Sequence, residues 1–193
     1  MTDVIVFHHI QGVTPGIGRF AEALSVAGHR VTVPDLYDGR TFGSIEEGQA
    51  HLAEIGGMGA VLDRARLAAE SLGFDVVYAG FSLGVVPAQM LAQTRPGARG
   101  ALLYHACVPV SEFSETWPAG VPVQIHGAED DPFFAGEGDL EAARALVAAT
   151  PDAELFLYPG SAHLFADDSL ASYDQASAKL LMERTLDFLS RVG

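Results

Sequence analysis

Short apolar runs alternate with longer helical patterns along this chain, and this alternation restricts its fold more than any other feature. Apolar, β-branched runs predict six strands, at residues 3–8, 30–34, 75–80, 100–106, 121–126 and 153–158. Helical patterns fall at residues 15–28, 45–72, 83–94, 138–149 and 173–192. Most of the strands are apolar throughout, as in a parallel sheet with helices on both faces. The sequence therefore predicts a three-layer α/β fold with a six-stranded, mostly parallel sheet.

The length of the chain suits one domain. It has 193 residues, of which 49% are hydrophobic and 19% charged, which is enough apolar material for a substantial core. No linker or low-complexity tract divides it. We therefore predict a single domain over residues 1–193. Within it, the pair Gly56-Gly57 is expected to interrupt or kink the long helix at 45–72.

Charge and cysteine content exclude several classes of function. The net charge of −14 would repel nucleic acid and anionic membrane surfaces, so we expect neither as a partner. No run of about 18 apolar residues is present, and the opening MTDVIVFHHI is typical of a strand rather than a signal peptide. The single cysteine, Cys107, excludes an intrachain disulfide and is expected to be buried. A cytoplasmic location is the prediction that fits these features.

Residues 80–84 read Gly-Phe-Ser-Leu-Gly, the G-x-S-x-G pattern of a nucleophile elbow. An apolar strand leads into the motif and a helical run leads out, which is the setting the motif requires. The serine of such an elbow sits on a tight turn, and the flanking glycines leave room for it. We predict that Ser82 is a nucleophile and that the amide of Leu83 donates to an oxyanion.

A serine hydroxyl needs a base, which an acid orients. Elbow hydrolases carry them in the order serine, acid, histidine, and His163 is the histidine that follows both the last strand and a suitable acid. The loop GAEDDPFF offers Glu129, Asp130 and Asp131. Asp131 is favoured over Asp130 because Pro132 restricts it to extended backbone. The predicted catalytic group is Ser82, Asp131 and His163.

The loop after the first strand, HHIQGVTPG, is expected to supply the second oxyanion donor. Ile10 is the preferred amide and Gln11 the alternative. His8 and His9 could instead bind a metal, but neighbouring strand residues point to opposite faces and no further ligands are evident. We therefore predict no metal, and we expect His9 to line the pocket.

Several motifs together resemble the dienelactone hydrolase family of the α/β hydrolases: FHHIQGVTPG, VPDLYDGRTF, GFSLG, HGAEDDPFF and YPGSAHLF. The resemblance covers nearly the whole chain. It implies an α/β-hydrolase fold, a cofactor-free esterase or lactonase, the same three catalytic residues, and Ile10 and Leu83 as oxyanion donors. The chain departs from the family in having serine instead of cysteine at position 82, and His9 where a glutamate is usual. The first strands of the full fold are expected to be absent.

Substrate contacts are less constrained by the pattern. Val108, Phe113 and Trp117 could form an apolar wall or simply pack against a helix. His105 ends a strand at the edge where ligands bind in open α/β sheets, so it could contact the substrate, or it could be a packed structural histidine. Arg40 could hold a substrate carboxylate, although an ordinary ion pair is the favoured interpretation.

The sequence thus favours a serine hydrolase that cleaves a small ester or lactone through an acyl-serine intermediate. A thioesterase or acyltransferase with the same residues is one alternative. A non-catalytic binding protein that keeps the fold is another. A dinucleotide-binding fold is a further alternative, but it is disfavoured because the glycines after the first strand have the wrong spacing for its G-x-G-x-x-G motif. The partner is expected to be a small ester or lactone, and the protein a monomer or homodimer.

Overall fold

The computed structural model describes residues 1–193, and a sheet of six strands lies at its centre. The strands are β1 (Asp3–Phe7), β2 (Arg30–Thr32), β3 (Val76–Phe81), β4 (Ala98–Tyr104), β5 (Val123–Ala128) and β6 (Ala153–Tyr158). Their order in the sheet is β2-β1-β3-β4-β5-β6, and every neighbouring pair is parallel. The predicted six-stranded α/β sheet is confirmed.

Helices cover both faces of the sheet. They are α1 (Pro15–Val26), α2 (Ile45–Glu54), α3 (Gly57–Glu70), α4 (Val85–Thr94), α5 (Asp139–Ala149) and α6 (Gln175–Val192). Side chains alternate along each strand, so Val4 and Val6 of β1 pack with α1 and α6, whereas Ile5 and Phe7 pack with α3, α4 and α5. The three-layer architecture follows from this alternation. None of the helices combines the length and apolar character needed to cross a bilayer.

The helix predicted at 45–72 is two helices, because the chain breaks between α2 and α3. Gly56 and Gly57 have φ angles of 104° and 72°, which residues other than glycine rarely adopt. The expected interruption is therefore a complete break. It leaves α2 as a separate element whose Ile45 and Leu52 pack only partly into the core.

The strand order positions the functional site. From β1 the sheet grows on one side to β2 and on the other to β3, so the order reverses between β1 and β3. In open α/β sheets, ligands bind at such a point, beyond the carboxyl ends of the strands. The loop after β1, residues 8–14, and the turn after β3, Ser82–Gly84, meet at this edge.

Candidate active site

Ser82 stands on a strained turn between β3 and α4. Its φ is 48°, a left-handed value that is unusual for a residue with a side chain, and residues Ser82–Gly84 form a 3₁₀ turn. A Cβ at Gly80 would lie 2.0 Å from the carbonyl oxygen of Gly84, and a Cβ at Gly84 would lie 2.3 Å from that of Phe7. Both positions therefore require glycine, and the strand–turn–helix setting expected from the sequence is present.

His163 lies in the loop after β6 and reaches back to the turn. Its Nε2 is 2.9 Å from Ser82 Oγ, and its Nδ1 is 2.6 Å from Asp131 Oδ2. Because a carboxylate only accepts, the Nδ1 atom carries the hydrogen, and Nε2 is left to accept from the serine hydroxyl. The structure thus joins three side chains from distant parts of the chain in one hydrogen-bonded row.

Of the three carboxylates after β5, only Asp131 faces His163. Its side chain is fully buried, and the Phe133 amide donates to its Oδ1 at 2.9 Å, which fixes the carboxylate plane. Glu129 and Asp130 are exposed to solvent. The preference for Asp131 over Asp130 agrees with this geometry.

Two residues whose backbone amides are candidate oxyanion donors lie beside Ser82. Ile10 and Leu83 both line the cavity there. The Ile10 amide has no acceptor within the protein, whereas the Gln11 amide donates to His9 Nδ1 at 3.2 Å. Leu83 is in the first turn of its helical segment, where amides have no intrahelical acceptor. Ile10 and Leu83, rather than Gln11, therefore have amides free to bind an anionic oxygen.

The cavity above Ser82 has a volume of about 260 Å³. Apolar side chains from several elements form much of its lining, namely Ile45, Leu52, Val86, Val108 and Phe133. The contribution of α2 was not anticipated, because its residues resemble any half-buried helix in sequence. Val108 is the only residue of the expected apolar wall that lines this cavity.

Polar groups in the cavity are acidic or neutral. Gln49, Glu137 and Asp139 line it, and no arginine or lysine does. Burial raises the pKa of Asp139, although the Cys107 amide donates to its Oδ2 at 3.0 Å. Cys107 itself is buried, as expected, and burial raises the pKa of its thiol to about 12.

His105 lines the cavity, in agreement with its position at the end of β4. It has a φ of 66°, is 1% exposed, and has no hydrogen-bond partner for either ring nitrogen. Burial and the neighbouring His163 lower its pKa well below the usual value, so its ring is neutral. A neutral ring beside the base adds no competing positive charge.

Three other expected substrate contacts lie elsewhere. His9 does not line the cavity: it is fully buried, with Nε2 2.8 Å from Asp167 Oδ2. Arg40 points toward Glu54 at 3.8 Å and is 62% exposed, in agreement with the ion-pair interpretation. Trp117 borders a separate cavity and donates from Nε1 to the Val121 carbonyl at 2.7 Å. Local sequence did not show which way these side chains turn.

His8 and His9 do not form a metal pair. His8 is buried, accepts from the Leu36 amide at 3.1 Å, and has its pKa lowered to about 4 by burial. No group of three or more His, Cys, Asp or Glu side chains is arranged to hold a metal ion.

The sequence model of the Dienelactone hydrolase family matches residues 1–193. The chain belongs to this family. Among curated proteins, it is 31% identical over 118 residues to an inferred carboxymethylenebutenolidase from Saccharolobus solfataricus. That match covers 61% of this chain and 45% of the relative, so the chain spans less than half the length of this relative.

Solved structures similar to this family member include an inferred dienelactone hydrolase from Klebsiella pneumoniae, with 25% identity and a TM-score of 0.76 over 99% of this chain and 87% of that one. A dienelactone hydrolase-like promiscuous phosphotriesterase from metagenomic libraries has 19% identity and a TM-score of 0.80, with 100% and 87% of the two chains covered. Esterase 2 of Thermogutta terrifontis has 18% identity and a TM-score of 0.66, with 100% and 84% covered. The α/β-hydrolase fold is thereby shown.

Proposed function

We propose that this chain is a cofactor-free carboxylic ester hydrolase that cleaves small esters or lactones through an acyl-serine intermediate. The observation that carries the proposal is the row Ser82–His163–Asp131, with distances of 2.9 and 2.6 Å. Membership of the dienelactone hydrolase family supports it, as does the carboxymethylenebutenolidase name of the curated relative.

In the acylation half, His163 Nε2 takes the proton of Ser82 while Oγ attacks the carbonyl carbon. The resulting oxyanion accepts hydrogen bonds from the amides of Ile10 and Leu83. The bond from carbon to the leaving oxygen then breaks, and His163 returns the proton to that oxygen. An alcohol leaves from an ester, whereas a lactone opens and keeps its hydroxyl on the acyl chain.

In the deacylation half, His163 takes a proton from water while the water oxygen attacks the acyl carbon. The same two amides stabilise the second oxyanion. Ser82 leaves with the proton from His163, and the carboxylic acid is released. Asp131 keeps its charge throughout and stabilises the imidazolium that forms in each half.

The cavity favours small, uncharged substrates. Its volume of about 260 Å³ lies just below the roughly 300–1,000 Å³ that is typical of ligand pockets. Glu137 and Asp139 line it and no basic residue does, so a carboxylate on the substrate would be repelled. The substrate in the name of the curated relative, carboxymethylenebutenolide, carries a carboxylate. We therefore propose that this family member acts instead on a neutral ester or lactone.

A thioesterase or acyltransferase would use the same residues, and no feature of the cavity favours either. Kinetics with paired esters and thioesters of one acyl group separate the classes. A non-catalytic binding protein would not need a hydrogen-bonded serine and histidine at a strained turn. A fluorophosphonate probe separates this alternative, since it labels only an activated serine.

The deciding experiment is the Ser82→Ala variant assayed with p-nitrophenyl butyrate. We expect turnover to fall by about 10⁴-fold or more, because Ser82 Oγ is the hydroxyl that is hydrogen-bonded to His163 Nε2. Ser190→Ala is the matched control, since Ser190 is exposed on α6 and donates only to the Asp187 carbonyl. Fluorophosphonate labelling should vanish in the first variant and persist in the second. Turnover that survives Ser82→Ala would contradict the mechanism.

A further inference from the structure

A buried hydrogen bond ties the oxyanion loop, defined as residues 9–12, to Asp167 through His9, the first residue of the loop. His9 Nε2 is 2.8 Å from Asp167 Oδ2, and both side chains are completely buried. His9 Nδ1 accepts from the Gln11 amide at 3.2 Å. Because Nδ1 accepts, the ring hydrogen is on Nε2, and His9 donates it to Asp167. The ring therefore has one defined tautomer and uses both nitrogens.

Asp167 is held as an anion by several donors. The hydroxyl of Thr14 donates to its Oδ2, and the amide and hydroxyl of Ser169 donate to its Oδ1 at 2.8 and 2.5 Å. Burial alone would raise the pKa of Asp167, but the hydrogen bonds from His9, Ser169 and Thr14 lower it to about 2. The carboxylate is thus a fixed charge to which the His9 ring is tied.

The space around this carboxylate is closely fitted. A Cβ at Gly16, in the first turn of α1, would lie 1.8 Å from Asp167 Oδ1. Glycine at this position lets α1 approach the carboxylate, and the Gly16 amide donates to the Ser169 hydroxyl at 3.1 Å. Asp167 therefore has little room to move relative to the start of α1.

The pair also joins the oxyanion loop to the loop that carries the base. Asp167 follows His163 by four residues, and its amide donates to the Leu164 carbonyl at 3.0 Å. Leu164 has a φ of 61°, so the backbone turns sharply just after His163. One hydrogen bond, between residues 158 positions apart, therefore connects the segment holding Ile10 with the segment holding His163.

We propose that His9 and Asp167 are positioning residues that hold the Ile10 amide in register with Ser82 and His163. The inference rests on the proposed function, since it concerns the support of the same oxyanion site. Neither side chain touches the substrate. They act through the backbone of Ile10, which follows His9 directly, and a misplacement of about 1 Å in such a site can cost about 10²-fold in rate.

A purely structural role would be served more simply by apolar side chains. A buried carboxylate is expensive to desolvate, and well-packed apolar residues of similar size often replace a buried polar group together with its partners without loss of stability. The Nδ1 contact to the Gln11 amide is the feature that an apolar pair could not reproduce. It leaves Ile10, one residue earlier, as the amide without an acceptor.

The test uses His9→Leu, His9→Gln and Asp167→Asn in the full chain. Fluorophosphonate titration gives the concentration of active sites, and kcat and KM are measured per labelled site with p-nitrophenyl butyrate. The inhibition constant of a trifluoromethyl ketone reports oxyanion binding. We expect His9→Leu to lower kcat about 10²-fold, with KM changed less than about threefold and ketone binding weakened in parallel. His9→Gln keeps a donor near Asp167, so its kcat should be about tenfold higher than that of His9→Leu.

His126→Leu is the matched control. His126 is equally buried and contacts the Tyr158 hydroxyl at 2.8 Å, but it does not line the cavity. This variant should lose thermal stability while keeping kcat per labelled site within about twofold. If His9→Leu does not fold, the nearly isosteric Asp167→Asn decides the matter by the same readouts.

The inference is overturned if kcat and ketone binding per labelled site stay within about twofold of the original chain in the His9 and Asp167 variants. In that case the pair contributes only to folding. Failure of the proposed function would look different. The unaltered chain would then show no fluorophosphonate labelling, or the Ser82→Ala variant would keep the turnover of the unaltered chain.

Discussion

Asp131 Oδ2 lies 2.6 Å from His163 Nδ1, and the carboxylate is completely buried. Its neighbour Asp130 has the same side chain one position earlier and is exposed. The difference arises in the turn after β5, where Asp131 precedes Pro132 and accepts from the Phe133 amide. A single step along the chain therefore separates a carboxylate that can orient an imidazole from one that only meets water.

This pair of aspartates gives the first prediction. Asp131→Asn should lower kcat by about 10⁴-fold, because an amide donor at Oδ2 favours the tautomer of His163 that cannot accept from Ser82. Asp130→Asn, the control, should stay within about twofold, as exposed substitutions usually do. Steady-state kinetics at neutral pH, with circular dichroism to confirm folding, checks both. Equal losses in the two variants would mean that the acid has been misassigned.

The second prediction concerns the glycines of the turn. Gly80→Ala should cost about 1–3 kcal/mol in the free energy of unfolding, because its Cβ would press on the backbone of Gly84. Gly18→Ala is the control: no atom lies within 4 Å of a Cβ there, so helix α1 should gain about 0.5–1 kcal/mol. Urea unfolding followed by fluorescence measures both changes. A stable Gly80→Ala protein with full activity would contradict the close approach.

The third prediction concerns substrate charge. A p-nitrophenyl ester ending in a carboxylate should have a kcat/KM about tenfold lower than the methyl-ended ester of equal length, because Glu137 and Asp139 line the cavity. The difference in kcat/KM between the two esters should become smaller at high salt, because Glu137 is exposed and its charge is screened.

A matched pair of variants attributes this selectivity to the cavity. The double variant Glu137→Gln/Asp139→Asn should reduce the difference in kcat/KM between the methyl-ended and the carboxylate-ended ester. Glu141→Gln, an exposed position of α5 outside the cavity, should not change it. A preference for the carboxylate ester in the original chain would show that another group neutralises the cavity.

The fourth prediction concerns acid stability. Burial lowers the pKa of His8 to about 4 and that of His126 to about 3, and it lowers the pKa of His105 as well. In the unfolded chain these rings titrate near their ordinary pKa of about 6.5. Below that pH the unfolded state binds more protons than the folded state, so stability falls as pH decreases from about 6.5 toward 4.

The slope measures the effect. Each buried neutral histidine should contribute up to about 1.4 kcal/mol per pH unit within that window. Urea unfolding at intervals between about pH 4.5 and 7.5 gives the slope. His126→Gln should lower the slope by up to about 1.4 kcal/mol per pH unit, the contribution of one proton. Asp130→Asn, at an exposed position, should leave the slope unchanged. A free energy of unfolding that does not vary with pH in this window would contradict the burial of these rings as neutral groups.

Much of the fold could be predicted because it depends on local patterns. Continuous apolar runs at β1, β3 and β4 required cover on both faces, and that requirement alone selects a parallel sheet with helices on each side. The turn at Ser82 could be predicted in the same way, because Gly80 and Gly84 are each separated from Ser82 by one residue. The requirement for glycine beside the serine therefore acts within five residues. The break at Gly56-Gly57 was expected for the same reason, a backbone preference of glycine.

Side-chain partners distant in sequence could not be read in this way. Nothing near His9 indicates that its ring turns inward to Asp167, and nothing near Trp117 indicates that its ring borders a cavity other than the one above Ser82. The sequence by itself determined the strand–helix order, the strained turn and the candidate residues, because these follow from backbone and periodic preferences of neighbouring residues. Only the tertiary structure decided which polar groups meet, because that depends on how loops from β1, β3, β5 and β6 pack at one edge of the sheet.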